Sequence, residues 1–356
     1  MRRGLMGWDE AELPKSALTA RLERLQAAMA REGLDALLLY TNLVRPAAVC
    51  WLTGFTPYWI ESLLLVPVNG RPMLATALSK RVADWIRTTA WLEEILNTPK
   101  PGTAIGQRLA GCKRVGVLEF DALPAGLYDD MVAAAPAVEL VDASAMFASV
   151  RNQIDDTERK LIEKADALAV AALAQVDASA TDAGALAGIV EKHARLAGAE
   201  EAYIAIAPDL DLDRRLIQVS GPVPLARRFA VRASIAYKGA WVRRTRSFAR
   251  DPQGARAMAS AEAWLPQAMH ALRDLLPTRS YSTVSASFAL LQAEQHAQLT
   301  RWMAESCIGS YPLEVVATLP VHGKEGPAPG TFLVLSVELA IDDVPWLGAA
   351  PMFVRG

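Results

Sequence analysis

The residues of this chain best placed for chemistry are arginines on a hairpin. In Arg232-Ala-Ser-Ile-Ala-Tyr-Lys-Gly-Ala-Trp-Val-Arg-Arg-Thr-Arg-Ser-Phe248, two strand-like runs flank Lys238-Gly239-Ala240. Glycine there supplies the positive φ that tight connections need. Side chains alternate along a strand, so Arg232, Ser234 and Ala236 share a face, as do Trp241, Arg243, Thr245 and Ser247. The plain reading of such arginines is a solvated strand face, since charged residues are mostly exposed. The sharper reading turns them into a pocket, where a guanidinium fork grips a carboxylate or phosphate with two parallel hydrogen bonds.

Other reactive side chains are sparse. Of the four histidines, His193, His270 and His296 fall in helix-like stretches at no ligand spacing. His322 sits in Pro320-Val-His-Gly-Lys-Glu-Gly326, ahead of a strand that carries Glu338, within reach of a general-base role if the loop folds over a pocket. Asp209-Leu-Asp-Leu-Asp213 resembles a cation loop but lacks the glycine and later glutamate of a calcium site, which favours a solvated strand end. Cys50, Cys112 and Cys307 are scattered, with no metal spacing, and read as thiols of a reducing cytoplasm. No phosphate loop, G-x-S-x-G elbow or CxxC pair occurs.

Length and composition suit two or three globular domains: 356 residues, 52% apolar and 21% charged. A net charge of −2 argues against nucleic acid or anionic membrane as a partner. No apolar run is long enough to span a bilayer, and the N-terminal stretch does not read as a signal peptide.

Periodicity supplies the elements that must position these residues. Leu18, Leu22, Leu25 and Met29 line one helical face that Gly33 ends. Strands are expected over 34–40, 62–67, 72–76, 115–119 and 138–141, with a turn-containing segment over Trp51-Leu-Thr-Gly-Phe55 and helices over 78–87 and 125–133. Strands alternating with helices imply an α/β domain over roughly 12–145. A long amphipathic helix opens near Asp155, with acids in its first turn. A second helix over 181–196, strands at 203–207 and 216–220, the hairpin, helices over 254–276 and 283–303, and strands over 313–319 and 332–341 complete the reading.

The joint from Asp142 to Ala165, the helix from Arg21 to Gly33, Trp51-Leu-Thr-Gly-Phe55, the hairpin's Tyr237-Lys-Gly239 and Thr245-Arg-Ser-Phe248, and Pro329-Gly-Thr-Phe-Leu-Val-Leu-Ser-Val-Glu338 together resemble the aminopeptidase P, prolidase and creatinase family. The resemblance covers nearly the whole chain. It implies a creatinase-type N-terminal α/β domain (1–150), a pita-bread α/β domain (151–356) and a homodimer. Peptidases of that family hold two metal ions with two Asp, one His and two Glu. Here the Asp positions carry Arg232 and Arg243, at the family spacing; the His position falls near Ser306; only Glu338 persists; and Ala350 to Gly356 offers no final carboxylate. Two guanidiniums put positive charge where cations would sit, so neither metal nor other cofactor is expected. Creatinase itself uses a histidine before the hairpin, and Leu216 to Pro224 has none.

Three functions are consistent with this pattern. One is a cytoplasmic, metal-independent enzyme acting on a small anionic or zwitterionic compound, as a C–N hydrolase or related enzyme. Arg232, Arg243 and Ser306 would bind that compound, with Glu338 and His322 as acid/base groups. The second is a pseudo-peptidase serving as a binding or partner subunit. The third is a metallopeptidase whose ligands align elsewhere. A dimer would bring the segment 56–61 near the partner's pocket.

Overall fold

The computed structural model describes residues 8–57, 60–276, 297–306, 317–318 and 330–354. These divide into two compact units, the first ending at Thr157 and the second opening at Glu158.

The first unit runs α1 (Lys15–Arg31), β1 (Ala36–Thr41), α2 (Ala47–Thr53), β2 (Ser62–Pro67), β3 (Met73–Thr76), α3 (Ala83–Thr89), β4 (Glu94–Asn97), α4 (Pro101–Arg108), β5 (Arg114–Leu118), α5 (Ala125–Ala134), β6 (Glu139–Asp142) and α6 (Ser144–Arg151). Its mixed sheet has the order β4-β3-β2-β1-β5-β6. β1 is apolar at almost every position because both its faces are covered. Leu37 and Leu39 enter a core with Leu25, Met29 and Trp51, while Leu38 and Tyr40 enter another with Ile105, Leu127 and Met131. The Trp51 segment is helical rather than a turn. α2 runs through Thr53 and stops at Gly54, whose φ of 75° is the left-handed C-cap.

The second unit contains α7 (Asp156–Leu173), α8 (Ala183–Leu196), β7 (Glu201–Ala207), β8 (Arg228–Tyr237), β9 (Ala240–Ala249), α9 (Pro252–Leu275), β10 (Ala297–Ser306), β11 (Ala317–Thr318), β12 (Phe332–Ile341) and β13 (Val344–Phe353). Its sheet has the order β11-β10-β12-β13-β9-β8-β7, every neighbour antiparallel. α9 packs its buried stripe, including Ala261, Trp264, Leu265 and Leu272, on one face of this sheet against Leu335, Val337 and Trp346. Asp251 starts that helix by accepting a hydrogen bond from the Gly254 N–H at 2.9 Å, with Pro252 at the first helical position.

The β8–β9 hairpin closes through two residues, Lys238 (φ 48°) and Gly239 (φ 78°). This is the turn whose twist matches that of the flanking strands. It fixes the register at Ala236 opposite Trp241, Ser234 opposite Arg243 and Arg232 opposite Thr245. The two groups of residues separated by period 2 therefore lie on one and the same face of the sheet. The alternate residues of β9 point to the helices. There Arg244 pairs with Asp166 of α7 and Arg246 with Glu262 of α9.

Two expectations fail in this unit. The segment 216–220 is not a strand. Ile217 exchanges two hydrogen bonds with Ile206 as an isolated bridge, and the following Gly221-Pro-Val-Pro224 has prolines that cannot donate to a ladder. Residues 297–303 are strand, not the end of a helix, and 283–296 lie outside the described residues. Glutamine, alanine and leucine favour helix here, but β10 pairs with β12 along most of its length, across an irregularity between Leu299 and Arg301, and pairing overrides a weak propensity. β11 is the described part of the strand expected over 313–319.

Candidate functional site

The face of the second sheet opposite α9 carries the arginines. Met303, Ser336, Ala349, Thr245 and Arg232 stand opposite one another across β10, β12, β13, β9 and β8. Two positions to one side, Arg301 faces Glu338, which faces Leu347. Two positions to the other side, Glu305 faces Val334, which faces Pro351, and β9 contributes Arg243. A cavity of about 520 Å³ opens over this face, lined by Arg214, Arg232, Thr245, Arg301, Ser336 and Glu338 among others. That volume is in the range of small-molecule sites.

The charges around it are arranged unevenly. Arg243 is buried, and its Nη1 donates to Glu305 Oε2 at 2.7 Å, with both side chains almost fully removed from water. Arg214 Nη1 donates to Glu338 Oε1 at 2.8 Å. Arg215 donates to both oxygens of Asp213, at 2.9 and 2.7 Å to Oδ2 and 3.0 Å to Oδ1. Arg232 differs. Its hydrogen-bond partner among the described residues is a neutral one, the Thr245 hydroxyl, to which Nε donates at 3.3 Å. Burial, then the Arg243 charge, pushes the Arg232 guanidinium down to about 10, with Glu305 opposing and Arg301 adding to the fall. It remains a cation at neutral pH. The Ser336 hydroxyl in the same wall is buried and has no hydrogen-bond partner among the described residues.

The residues singled out in the sequence therefore part company. Arg232 and Glu338 line the cavity. Arg243 sits on the same sheet face but is tied to Glu305, not to Glu338. Ser306 ends β10, with its side chain outside the described residues, as is His322. The carboxylates of Asp209-Leu-Asp-Leu-Asp213 are taken up locally. Asp209 accepts the backbone N–H groups of Asp211 and Leu212, Asp211 pairs with Arg227 and Arg228, and Asp213 with Arg215. His193 lies on α8 and His270 on α9.

Arg214, Arg301, Glu305 and Ser336 were not apparent from spacing. Arg301 and Glu305 are four apart, which on a helix also means one face. Reading Ala297 to Glu305 as a strand, with Arg301, Met303 and Glu305 alternating against Trp302 and Ala304, would have found them.

This donor set does not fit the two divalent ions that the resemblance implies. Arginine brings no lone pair to a cation, β13 holds no carboxylate, and among the described residues no group of three or more His, Cys, Asp or Glu side chains could hold a metal.

Comparison with known proteins agrees with this fold. Residues 21–153 match the Creatinase/Prolidase N-terminal domain. The prolidase from Pyrococcus horikoshii OT3 superposes with a TM-score of 0.70 at 15% identity, covering 94% of this chain and 95% of that one. The X-Pro aminopeptidase from Thermotoga maritima MSB8 gives 0.71 at 11% identity, covering 92% and 95%. The N-terminal domain of the FACT complex subunit SPT16 from Cicer arietinum gives 0.65 at 15% identity, covering 96% and 94%. A search of the curated proteins gives no match. The resemblance to the aminopeptidase P, prolidase and creatinase family holds, and the chain pairs a creatinase-type N-terminal domain with a second α/β sheet domain of the pita-bread kind.

Proposed function

We propose that this chain, built on the creatinase/prolidase fold, binds a small anionic or zwitterionic compound without metal, in the cavity over Arg232. One observation carries the reading: a half-buried guanidinium lines a cavity and, among the described residues, has no carboxylate hydrogen-bonded to it. A charge withdrawn from water needs a counter-charge, because leaving it alone costs several kcal/mol. A carboxylate or phosphate on a ligand would provide one, in bidentate geometry. Glu338, held by Arg214, is the carboxylate lining the same cavity that is best situated to exchange a proton with such a ligand. Ser336 is a further polar group beside it.

A second reading is a binding or partner subunit without turnover. It is favoured by the engagement of Glu338 with Arg214, which leaves the acid/base candidate already occupied, and by the likeness to a domain named as part of a complex subunit.

The experiment combines elemental analysis with a thermal-shift screen on the purified protein. Manganese, zinc, cobalt and iron are expected well below one per chain, and Xaa-Pro peptides should be cleaved at background. Small carboxylates should raise the melting temperature of the wild type and not of Arg232→Met. Near-stoichiometric metal that is lost in Glu338→Gln, or a complete absence of anion stabilisation, overturns the reading. Turnover of a stabilising compound decides between enzyme and binding subunit.

A further inference from the structure

The described charged side chains that line the cavity are Asp213, Arg214, Arg215, Arg232, Arg301 and Glu338. Two of the four cations are paired within the wall, Arg215 with Asp213 and Arg214 with Glu338. The adjoining Arg243 is neutralised by Glu305. Two guanidiniums remain, Arg232 and Arg301, and neither has an ion-pair partner among the described residues. They differ in depth: Arg232 is half-buried, Arg301 exposed. They also stand on strands four steps apart in the sheet, β8 and β10. At the usual spacing this puts their backbones roughly 19 Å apart, with both side chains lining one cavity.

We infer that the ligand of this pocket carries two anionic groups separated by a short spacer, one seated on Arg232 at depth and the other on Arg301 nearer the mouth. The inference rests on the anion-pocket reading above and adds the substrate class: dicarboxylates, or compounds in which a phosphate replaces one carboxylate. A single anion on Arg232 would leave Arg301 with water alone. A very short dianion would crowd both its charges at one end. The two long arginine side chains, converging over the one cavity they line, close most of the gap between their backbones, so a spacer of about two to four carbons lets one molecule neutralise both cations without breaking the internal pairs. The Arg301 contact lies in water and weakens with salt, whereas the Arg232 contact is shielded.

The test is calorimetric titration of the full chain with propionate, butyrate, malonate, succinate, glutarate, adipate and 3-phosphonopropionate at low salt. One dicarboxylate of intermediate length should bind about tenfold more tightly than the monocarboxylates, a margin typical of one additional charge-assisted contact at a partly wet site. In Arg301→Met that margin should fall to within about twofold, and in Arg232→Met all binding should disappear. The phosphonate compared with succinate tells which anionic group the mouth prefers. If monocarboxylates bind and no dicarboxylate binds better, the two-group ligand is wrong while the anion pocket stands. If Arg301→Met keeps the preference, Arg301 is not the second contact and the inference fails. If nothing binds to wild type, the underlying pocket reading fails with it.

Discussion

Removing Arg243 should damage the fold rather than merely the pocket. Its guanidinium and the Glu305 carboxylate are both almost fully buried and meet at 2.7 Å. Arg243→Met keeps most of the side-chain volume and deletes the charge, so the Glu305 carboxylate loses the guanidinium hydrogen-bonded to it in a place water hardly reaches. Breaking a buried pair in this way costs about 3 to 5 kcal/mol. For a unit of this size, each kcal/mol lowers the melting temperature by roughly 2 to 4 °C, so a fall on the order of 10 °C is expected. Glu305→Gln in the same background should recover much of the loss, since a neutral amide has no charge to bury. The assay is thermal and urea unfolding of wild type, the single variants and the double variant at pH 5 and pH 8, analysed as a double-mutant cycle. Arg232→Met is the built-in contrast. It removes a half-buried charge that has no hydrogen-bonded carboxylate among the described residues and should leave the unliganded protein as stable as wild type or more so. If Arg243→Met lies within about 0.5 kcal/mol of wild type at pH 8, the size of an ordinary surface change, or if Arg232→Met costs as much as Arg243→Met, the division of labour between the two arginines is wrong.

Three further outcomes are expected. Glu200 precedes β7 and accepts the backbone N–H groups of Lys238 and Gly239; burial raises its pKa to about 7 despite those bonds and the Lys238 charge. Its folded pKa is above the unfolded one, so its contribution is complete below about pH 4.5 and declines as pH rises to about 7, by up to roughly 3 kcal/mol; Glu200→Gln should flatten that part of the stability profile, and an unchanged slope would refute the assignment. Asp251 caps α9 and pairs with Arg228, which hold its carboxyl well below the usual range; Asp251→Ala should cost about 1 to 2 kcal/mol at neutral pH from the cap alone, an effect that shrinks as acid protonates the wild-type group. Light scattering at micromolar concentration should give a homodimer; a monomer would remove the expectation attached to segment 56–61, of which Tyr58 and Trp59 lie outside the described residues.

The hairpin was legible in the amino-acid sequence because its causes are local. Glycine in the turn and period 2 along each strand gave the hairpin and its two sets, Arg232 with Ser234 and Arg243 with Thr245; that the turn takes two residues, and so puts both sets on one face, came from the structure. The buried strand over 34–40 and the order of motifs along the chain were readable for the same reason: each depends on neighbours a few residues away. The strand at 297–306 was not, because its own side chains favour a helix and only its ladder with β12 holds it extended. Charge neutralisation was still further from view. Arg243 finds Glu305 and Arg214 finds Glu338 across 62 and 124 positions of sequence, and no spacing rule links them. That Glu305 reaches Arg243 follows from the strand order β10-β12-β13-β9, and Glu338 meets Arg214 from the connection between β7 and β8. Residue type determined that this face would be rich in positive charge; the sheet alone decided that Arg243 would be spent on Glu305 and that Arg232 would line the cavity with no carboxylate among the described residues bound to it, because electrostatic pairing acts through distance in space and not along the chain.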